Sequence, residues 1–289
     1  MAMRQLPLEG PVVKKSNALA RARWSAESVW EPRLVALLAS KVKQDDEDFQ
    51  TYEIPITELI ASADKEASGK TYQELTKIID NLMGRILTIY DEKGWTKYTV
   101  FSKCRYISEN GMLELRFDPD LKHHYLQLQR NFMKYNLIEF LTLPSVYSQR
   151  LFEFLKSWSD KPEIKIPVSE LHEMLNTPES CKKDFRQFRI RVLEKSHKDI
   201  TKHTSLEYEW EPIKTGKAFT AVRFIFTKKR ALPVAEKKRN DAQKTESRKN
   251  NKAFNAAIAC YQERGDSCRG GAQSDAVCAL CRHIYHRNS

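Results

Sequence analysis

A sequence pattern that occurs twice constrains the fold of this 289-residue chain more than any other feature. Residues 54–59 (IPITEL) align with residues 166–171 (IPVSEL). In each copy an apolar helical pattern precedes this motif, and a further helical pattern and two strand-like runs follow it. A repeat of about ninety residues is too long for a solenoid unit and is typical of a duplicated domain. The sequence therefore predicts two domains of the same fold, and a chain of this length has room for both.

The first copy shows three helical patterns followed by a β-hairpin. A first helix is predicted from near Glu31, Thr57 is placed to cap a short second helix, and apolar residues share one face of a third helix over 72–86. Two strand-like runs, 95–107 and 112–119, flank an Asn-Gly dipeptide, which is typical of hairpin turns. Three helices followed by a hairpin form the element order of a winged helix-turn-helix domain.

The second copy repeats this order with a strongly basic third helix. Residues 145–158 supply the first helix, and residues 206–229 supply two strands around a turn at Thr215-Gly216-Lys217. Between them, residues 181–204 have helical periodicity, with one apolar face formed by Phe185, Phe188, Val192 and Leu193. The predicted fold class is therefore α+β, with two tandem winged helix-turn-helix domains and a disordered basic C-terminal tail.

The outer face of the predicted 181–204 helix is cationic and able to form hydrogen bonds. It carries Lys183, Arg186, Gln187 and Ile190, with Arg191 beside them. Arginine and lysine pair with guanine edges in the major groove of DNA, glutamine pairs with adenine, and an apolar side chain packs on the thymine methyl group. This face favours a recognition helix, and the alternative is a basic surface helix without a partner.

The overall charge supports a polyanionic partner. The chain has a formal net charge of +11 and a pI near 9.3, which indicates attraction to polyanions but does not by itself specify a fold. No apolar run approaches the ~20 residues that cross a bilayer, and residues 1–20 lack the apolar core of a secretory signal. We therefore expect a soluble intracellular protein, in which Cys104 and Cys181 are reduced structural residues.

The motifs of the main enzymatic alternative, a metal-dependent nicking enzyme, are missing from the sequence. Such an enzyme needs a His-apolar-His pair to hold a metal and a tyrosine nucleophile, but the pairs His123-His124 and His283/His286 have a different spacing. The sequence also contains no GxxxxGK[ST] phosphate loop and no GxSxG elbow. We therefore predict a DNA-binding protein with no catalytic residue and no cofactor.

Residues 230–289 differ in character from the rest of the chain. Their first part is basic, polar and poor in apolar residues, which favours disorder and non-specific attraction to DNA. Near the end, Cys278 and Cys281 have the spacing of a zinc knuckle, and His283 and His286 could complete a tetrahedral site. Because apolar residues around this cluster are few, we interpret the tail as a disordered extension without a metal, and zinc binding is the alternative.

Segments spread through the chain resemble the plasmid replication initiators that bind iterons, the tandem repeats of a plasmid origin. In order, they are KKSNALARARW (14–24), EPRLVALLASKV (31–42), SQRLFEFLK (148–156), KKDFRQFRIRVLEKSHKDI (182–200) and TAVRFIFTKK (220–229). The resemblance extends from Val12 to Lys229 and keeps the order of the family. It departs at residues 198–201 (KDIT), where the family usually has an acidic residue and an asparagine, and this difference bears on base choice rather than on fold.

The resemblance implies a function, a location and partners. Proteins of this family bind iterons as monomers, promote opening of the origin, and recruit the host replication initiator and the replicative helicase in the bacterial cytoplasm. Dimers of the same protein typically repress their own promoter. The chain is thus expected to be a plasmid replication initiator, and the alternative is a winged-helix transcriptional repressor without a role in initiation.

The resemblance also implies roles for individual residues. Contacts to bases are expected from the exposed face described above: Lys183, Arg186, Gln187 and Ile190. Contacts to phosphates, which set the register without reading the sequence, are expected from Arg150, Lys182, Arg189, Arg191, Lys214 and Lys217.

We divide the chain into an N-terminal arm (1–23), a first winged-helix domain (24–133), a second winged-helix domain (134–229) and the tail (230–289). A polar and aromatic helix over 121–133 is predicted to join the two domains. The outer face of the third helix is charge-mixed in the first copy and basic in the second. We therefore expect the first domain to serve dimerisation or accessory DNA contact and the second to recognise DNA, and the alternative is that both bind DNA equally.

Overall fold

The structure, a computed structural model, describes residues 11–43, 45–56, 77–107, 109 and 111–226. These residues form a mixed helix and strand fold with two winged-helix domains, as the sequence predicts. The predicted cap at Thr57 and the cysteine–histidine cluster of the tail lie outside the described residues. Within the described ranges, no helix is long and apolar enough to cross a membrane.

The strands are short and pair in antiparallel fashion. They are β1 (Val12–Ser16), β2 (Tyr52–Pro55), β3 (Ile86–Asp91), β4 (Gly94–Thr99), β5 (Phe101–Ile107), β6 (Met112–Phe117), β7 (Phe132–Asn136), β8 (Glu163–Pro167), β9 (Tyr208–Thr215) and β10 (Ala218–Phe226).

The helices lie between these strands along the chain. They are α1 (Asn17–Ala20), α2 (Trp30–Lys41), α3 (Lys122–Tyr125), α4 (Leu137–Leu141), α5 (Val146–Lys156), α6 (Val168–Leu175), α7 (Glu179–Lys183), α8 (Phe185–Phe188) and α9 (Lys195–His203). Residues 77–83 are also helical, and a π-helical turn over Arg189–Glu194 connects α8 to α9.

The two copies of the repeat build sheets of the same topology. The strand order is β2-β6-β5 in the first copy and β8-β10-β9 in the second, so that in each sheet the first strand pairs with the last. β2 and β8 end at Pro55 and Pro167, the prolines of the repeated motif. Proline lacks the N–H that would extend the ladder, and its fixed φ suits the approach to a following helix. The duplication predicted from the sequence is therefore present in the fold.

β3 and β4 form a two-stranded ribbon that the sequence analysis did not separate from its neighbours. Of the predicted helix 72–86, residues 72–76 lie outside the described part of the chain and residues 77–83 are helical. Ile86 instead opens β3 with an exposed side chain. The N–H of Gly84 donates to the carbonyl of Asn81 at 3.1 Å, and the chain leaves the helix there. The predicted strand 95–107 is divided at the buried Val100, because its first half pairs with β3 and its second half with β6.

The segment expected to form an N-terminal arm belongs to the fold from Val12 onward. β1 pairs with β7 along its whole length, and three of its five side chains are buried. The predicted helix over 121–133 is wrong, because helix continues only to Tyr125 and the chain then extends into β7. Gln127 and Asn131 have positive φ angles of 51° and 55°, a conformation that a continuous right-handed helix does not allow.

Candidate nucleic-acid interface

The helix predicted over 181–204 is divided at Asp184, whose backbone is extended with φ −133° and ψ 106°. α7 ends one residue earlier, at Lys183. The Oδ1 atom of Asp184 accepts a hydrogen bond from the N–H of Arg186 at 2.8 Å, and a carboxylate at this position satisfies a free N–H of the first turn and interacts favourably with the helix dipole. From Phe185 to His203 the helix is continuous through α8, the π-helical turn and α9, and we call these residues the recognition helix.

Of the four residues predicted to form the apolar face of this helix, three are buried and Phe185 is partly buried. Phe188, Val192 and Leu193 are fully buried, and the ring of Phe188 lies 4.4 Å from the ring of His172 on α6. The Nδ1 atom of His172 is 2.6 Å from the hydroxyl oxygen of Thr177. Burial, together with the nearby charge of Lys182, lowers the pKa of His172 below its usual value, so the ring is neutral at neutral pH. Packing of this kind fixes the helix against the domain.

The first half of the recognition helix exposes the residue types predicted to read bases. Arg186 and Arg191 are exposed, and Gln187 is half-buried. Ile190 is 45% exposed on this basic surface, although isoleucine is among the residues most often buried in proteins. An apolar side chain held in water among cations is suited to contact with a thymine methyl group.

The second half of the recognition helix exposes cations that the sequence analysis missed. Lys195, Lys198 and Lys202 are all exposed, whereas Ser196 and Ile200 are buried between them. The signal was present in the sequence, because the three lysines follow one another at spacings of three and four residues. Their orientation relative to Arg186 depends on the π-helical turn, which periodicity at a constant angle per residue does not reveal.

The π-helical turn carries an ion pair between two residues that are five positions apart in the sequence. The Nε atom of Arg189 donates to Oε1 of Glu194 at 2.9 Å, and both side chains are about half exposed. Surface ion pairs of this kind contribute little to stability. Arg189 can therefore exchange the carboxylate of Glu194 for a phosphate at little cost in stability.

The wing formed by β9 and β10 contacts the start of the recognition helix. Phe219 on β10 stacks on Phe185 with ring centroids 4.2 Å apart and an interplanar angle of 15°. The Nζ atom of Lys214 lies 4.6 Å from the centroid of the same Phe219 ring. Lys217 is exposed in the turn next to Gly216, which has a φ of +62° that favours glycine. These contacts hold the wing against Phe185, at the start of the recognition helix, with Lys214 over the Phe219 ring.

Lys182 and Lys183 lie on α7, before the recognition helix begins, and both are exposed. The Nζ atom of Lys182 is 2.7 Å from Oε1 of Glu179, a pair that remains open to solvent. Because Asp184 interrupts the helix, Lys183 does not share a helical face with Arg186, although the sequence analysis grouped them.

Arg150 does not belong to this surface, and the predicted phosphate contact is corrected. Its side chain is 2% exposed, its NH2 group donates to the carbonyl of Ala22 at 2.6 Å, and its NH1 group donates to Oε2 of Glu153 at 3.3 Å. The guanidinium also lies 5.1 Å from the ring of Trp24. Burial disfavours the charged form and lowers the pKa of Arg150, and the nearby carboxylate of Glu153 opposes this shift.

Cys104 and Cys181 are free cysteines, as the sequence predicts. Burial raises the pKa of the Cys104 thiol to about 11, so the thiol stays protonated at neutral pH and is a poor nucleophile. In the part of the chain that the structure describes, no group of three His, Cys, Asp or Glu residues is arranged to hold a metal.

Two family models match this chain, and several solved structures are similar to it. A model described as "Initiator Replication protein, WH1" matches residues 12–156, and one described as "Initiator Rep protein, WH2" matches residues 167–226. A crystal structure of the Pi initiator protein in complex with iteron DNA has a TM-score of 0.59 at 16% identity, over 78% of this chain and 100% of that chain. Domains 2 and 3 of RctB reach a TM-score of 0.43 at 13% identity, over 80% of this chain and 95% of that chain. At such low identity the Pi structure supports the fold alone.

Proposed function

This chain belongs to the family of initiator replication proteins, and from this membership we propose that it binds iterons in a plasmid origin as a monomer and promotes opening of the origin. The related Pi initiator has been crystallised with iteron DNA. The same ligand suits the chemistry of the second winged-helix domain, whose exposed helix is basic and whose wing carries two further lysines.

The observation that supports this proposal most is the charge on the exposed face of the recognition helix. Six arginine and lysine residues are exposed between Phe185 and His203, namely Arg186, Arg189, Arg191, Lys195, Lys198 and Lys202. Glu194 is exposed among them and is paired with Arg189. A helix of this shape and charge fits the major groove of B-form DNA, where arginine pairs with guanine O6 and N7.

In this proposal Arg186, Gln187 and Ile190 contact bases, and Lys183 approaches from the end of α7. Contacts to phosphates come from residues on the flanks of the helix and on the wing: Lys182, Arg189, Arg191, Lys214 and Lys217. Such contacts fix the register of the protein on the duplex and make the affinity depend on salt.

We assign dimerisation or accessory DNA contact to the first domain (24–133) and main recognition to the second (134–229). In the described part of its third helix, the first domain exposes Lys77, Asp80 and Asn81, a mixed surface without the cationic character of the second copy. Repression of its own promoter by the dimer, and recruitment of the host initiator and replicative helicase, complete the proposal on the ground of family membership.

Footprinting on the DNA that flanks the gene tests the proposal directly. An initiator of this type protects evenly phased tandem repeats, spaced by one or two helical turns. Permanganate probing of the same complexes should then reveal unpaired thymines in an adjacent A·T-rich stretch. A winged-helix repressor without an initiation role would protect its operator and leave that stretch paired.

Replacement of Arg186 by alanine tests the base contacts. It should weaken binding to the cognate repeat by about 1–3 kcal/mol and relax discrimination at one position of the repeat. Arg105→Ala is the matched control, because Arg105 is exposed on β5 of the first copy, and it should leave discrimination unchanged. If Arg186→Ala discriminated between base variants as the unmodified protein does, Arg186 would not contact bases.

A further inference from the structure

The π-helical turn changes the direction in which the second half of the recognition helix points. In a regular α-helix, at about 100° per residue, Leu193 and Ile200 would lie roughly 20° and 40° from Arg186. Yet both are completely buried, whereas Arg186 is exposed. A turn with i to i+5 hydrogen bonds contains about one extra residue. The side chains that follow the turn are therefore rotated back about the helix axis by roughly 100°. This rotation brings Leu193 and Ile200 onto the buried side with Phe188.

The ion pair across the turn supports the same geometry. Arg189 and Glu194 are five residues apart, a spacing that separates two side chains by roughly 140° on an α-helix. Their Nε and Oε1 atoms are nevertheless 2.9 Å apart. Side chains at this spacing come closer together where the helix widens and its backbone hydrogen bonds run from residue i to residue i+5.

The same change of phase applies to the three lysines of the second half. On a regular α-helix, Lys195, Lys198 and Lys202 would lie roughly 120–180° from Arg186, toward the far side. After one extra residue in the turn, they lie within roughly 80° of Arg186 and share its side with Ile190. The exposure of all three lysines, with Ser196 and Ile200 buried between them, agrees with this placement.

We propose that Lys195, Lys198 and Lys202 form a phosphate-binding stripe, which the π-helical turn aligns with the base-reading residues Arg186 and Ile190. The inference rests on the proposed DNA binding of this helix and adds the class of ligand group that its second half takes, the phosphodiester of the DNA backbone. The first half then enters the groove, while the second half follows the rim of the groove and contacts one strand.

The electrostatic surroundings of the stripe favour phosphate over protein carboxylates. Within the described residues, none of the three lysines has an ion-pair partner in the structure. Lysine binds phosphate as a point charge without the planar geometry that arginine requires for base edges. Three unpaired lysines on one face therefore suit contacts that add affinity without adding sequence preference.

The salt dependence of duplex binding tests the stripe in the full-length protein. Lys195→Gln, Lys198→Gln and Lys202→Gln are combined in one variant, and binding is measured by fluorescence anisotropy over a series of salt concentrations. Each phosphate contact contributes about 0.9 to the slope of log affinity against log salt, so the triple variant should lower the slope by about 2 to 3. Its affinity should fall by a similar factor on the cognate repeat and on base variants of that repeat.

A second triple variant, which loses the same three positive charges elsewhere on the surface, serves as the control. Lys97, Lys161 and Lys165 are exposed lysines outside the recognition helix, and their replacement by glutamine should leave the slope nearly unchanged. If both triple variants lowered the slope equally, the effect would reflect net charge and the stripe would be refuted. An unchanged slope in the helix variant, or a loss confined to the cognate repeat, would also refute it.

The phase change has its own test in single variants. Lys198 lies nearest to the direction of Arg186 after the turn, so Lys198→Gln should lower the slope by about 0.9. Lys165→Gln is its control. The proposed base contact of Arg186 can fail while the stripe stands. This would be the outcome if Arg186→Ala still discriminated between base variants of the repeat and the triple variant lowered the salt slope for every duplex.

Discussion

Replacement of Glu153 by glutamine tests the buried charge cluster that joins β1 to α5 of the second copy. Oε1 of Glu153 accepts from Nζ of Lys15 at 2.5 Å and from the hydroxyl of Tyr135 at 2.7 Å, and Oε2 accepts from Arg150 at 3.3 Å. All four side chains are almost completely buried. One carboxylate on α5 of the second copy therefore compensates two buried cations, one of them on β1.

The expected destabilisation follows from what glutamine keeps and what it loses. Its amide oxygen can still accept from Tyr135, so that hydrogen bond is preserved. The negative charge is lost, and Lys15 and Arg150 remain buried without a counter-charge. Removing one partner of a buried ion pair typically costs about 3–5 kcal/mol, a large part of the ~5–15 kcal/mol that stabilises a typical protein. Burial already lowers the pKa of Lys15 and the carboxylate opposes this shift, so we expect the lysine to lose its proton more readily in the variant.

Urea unfolding of the unmodified protein and of Glu153→Gln, compared at equal m-value, measures the change in the free energy of unfolding. Glu173→Gln is the matched control, because Glu173 pairs with Arg23 on the surface, and its loss should cost less than about 1 kcal/mol. The double variant Lys15→Met/Glu153→Gln removes one uncompensated cation and should be more stable than Glu153→Gln alone. A Glu153→Gln variant within about 0.5 kcal/mol of the unmodified protein would refute this account of the cluster.

Three further predictions concern the wing and the pH dependence. Lys214→Ala should weaken binding to all DNA sequences alike and lower the salt slope by about 0.9, as measured by anisotropy, whereas a sequence-dependent loss would indicate base contact. Phe219→Ala removes the ring stacked on Phe185. Because Phe219 is only partly buried, the free energy of unfolding should fall by less than the ~3–5 kcal/mol typical of a core phenylalanine, and thermal unfolding of Phe219→Leu provides the comparison. Burial lowers the pKa of His124 to about 4, so as the pH falls the unfolded chain takes up the proton before the folded protein does. The free energy of unfolding should therefore fall between about pH 6.5 and 4, by at most about 1.4 kcal/mol per pH unit. In urea titrations at several pH values, His124→Gln should show a shallower fall.

Several features of the fold could be predicted because they depend on local pattern. The strands that end at Pro55 and Pro167, the first helix of the second copy and the turn at Gly216 are all encoded by neighbouring residues. Helical periodicity likewise predicted the buried face of the recognition helix around Phe188 and Val192. Such features follow from backbone restrictions and from the alternation of apolar and polar residues, which need no knowledge of distant contacts.

Tertiary contacts decided the rest, because they select among local alternatives. The charge of Arg150 looked like a surface cation, but the carboxylate of Glu153 and the carbonyl of Ala22 make its burial possible. β1 became part of a sheet because β7, more than one hundred residues away, offers its edge. The π-helical turn sets the direction of Lys195, Lys198 and Lys202, since burial of Leu193 and Ile200 in the domain core requires a phase that a uniform helix does not supply. The sequence by itself thus determined the duplicated fold and the basic character of one helix, whereas the packing of that helix determined which cations face a common side.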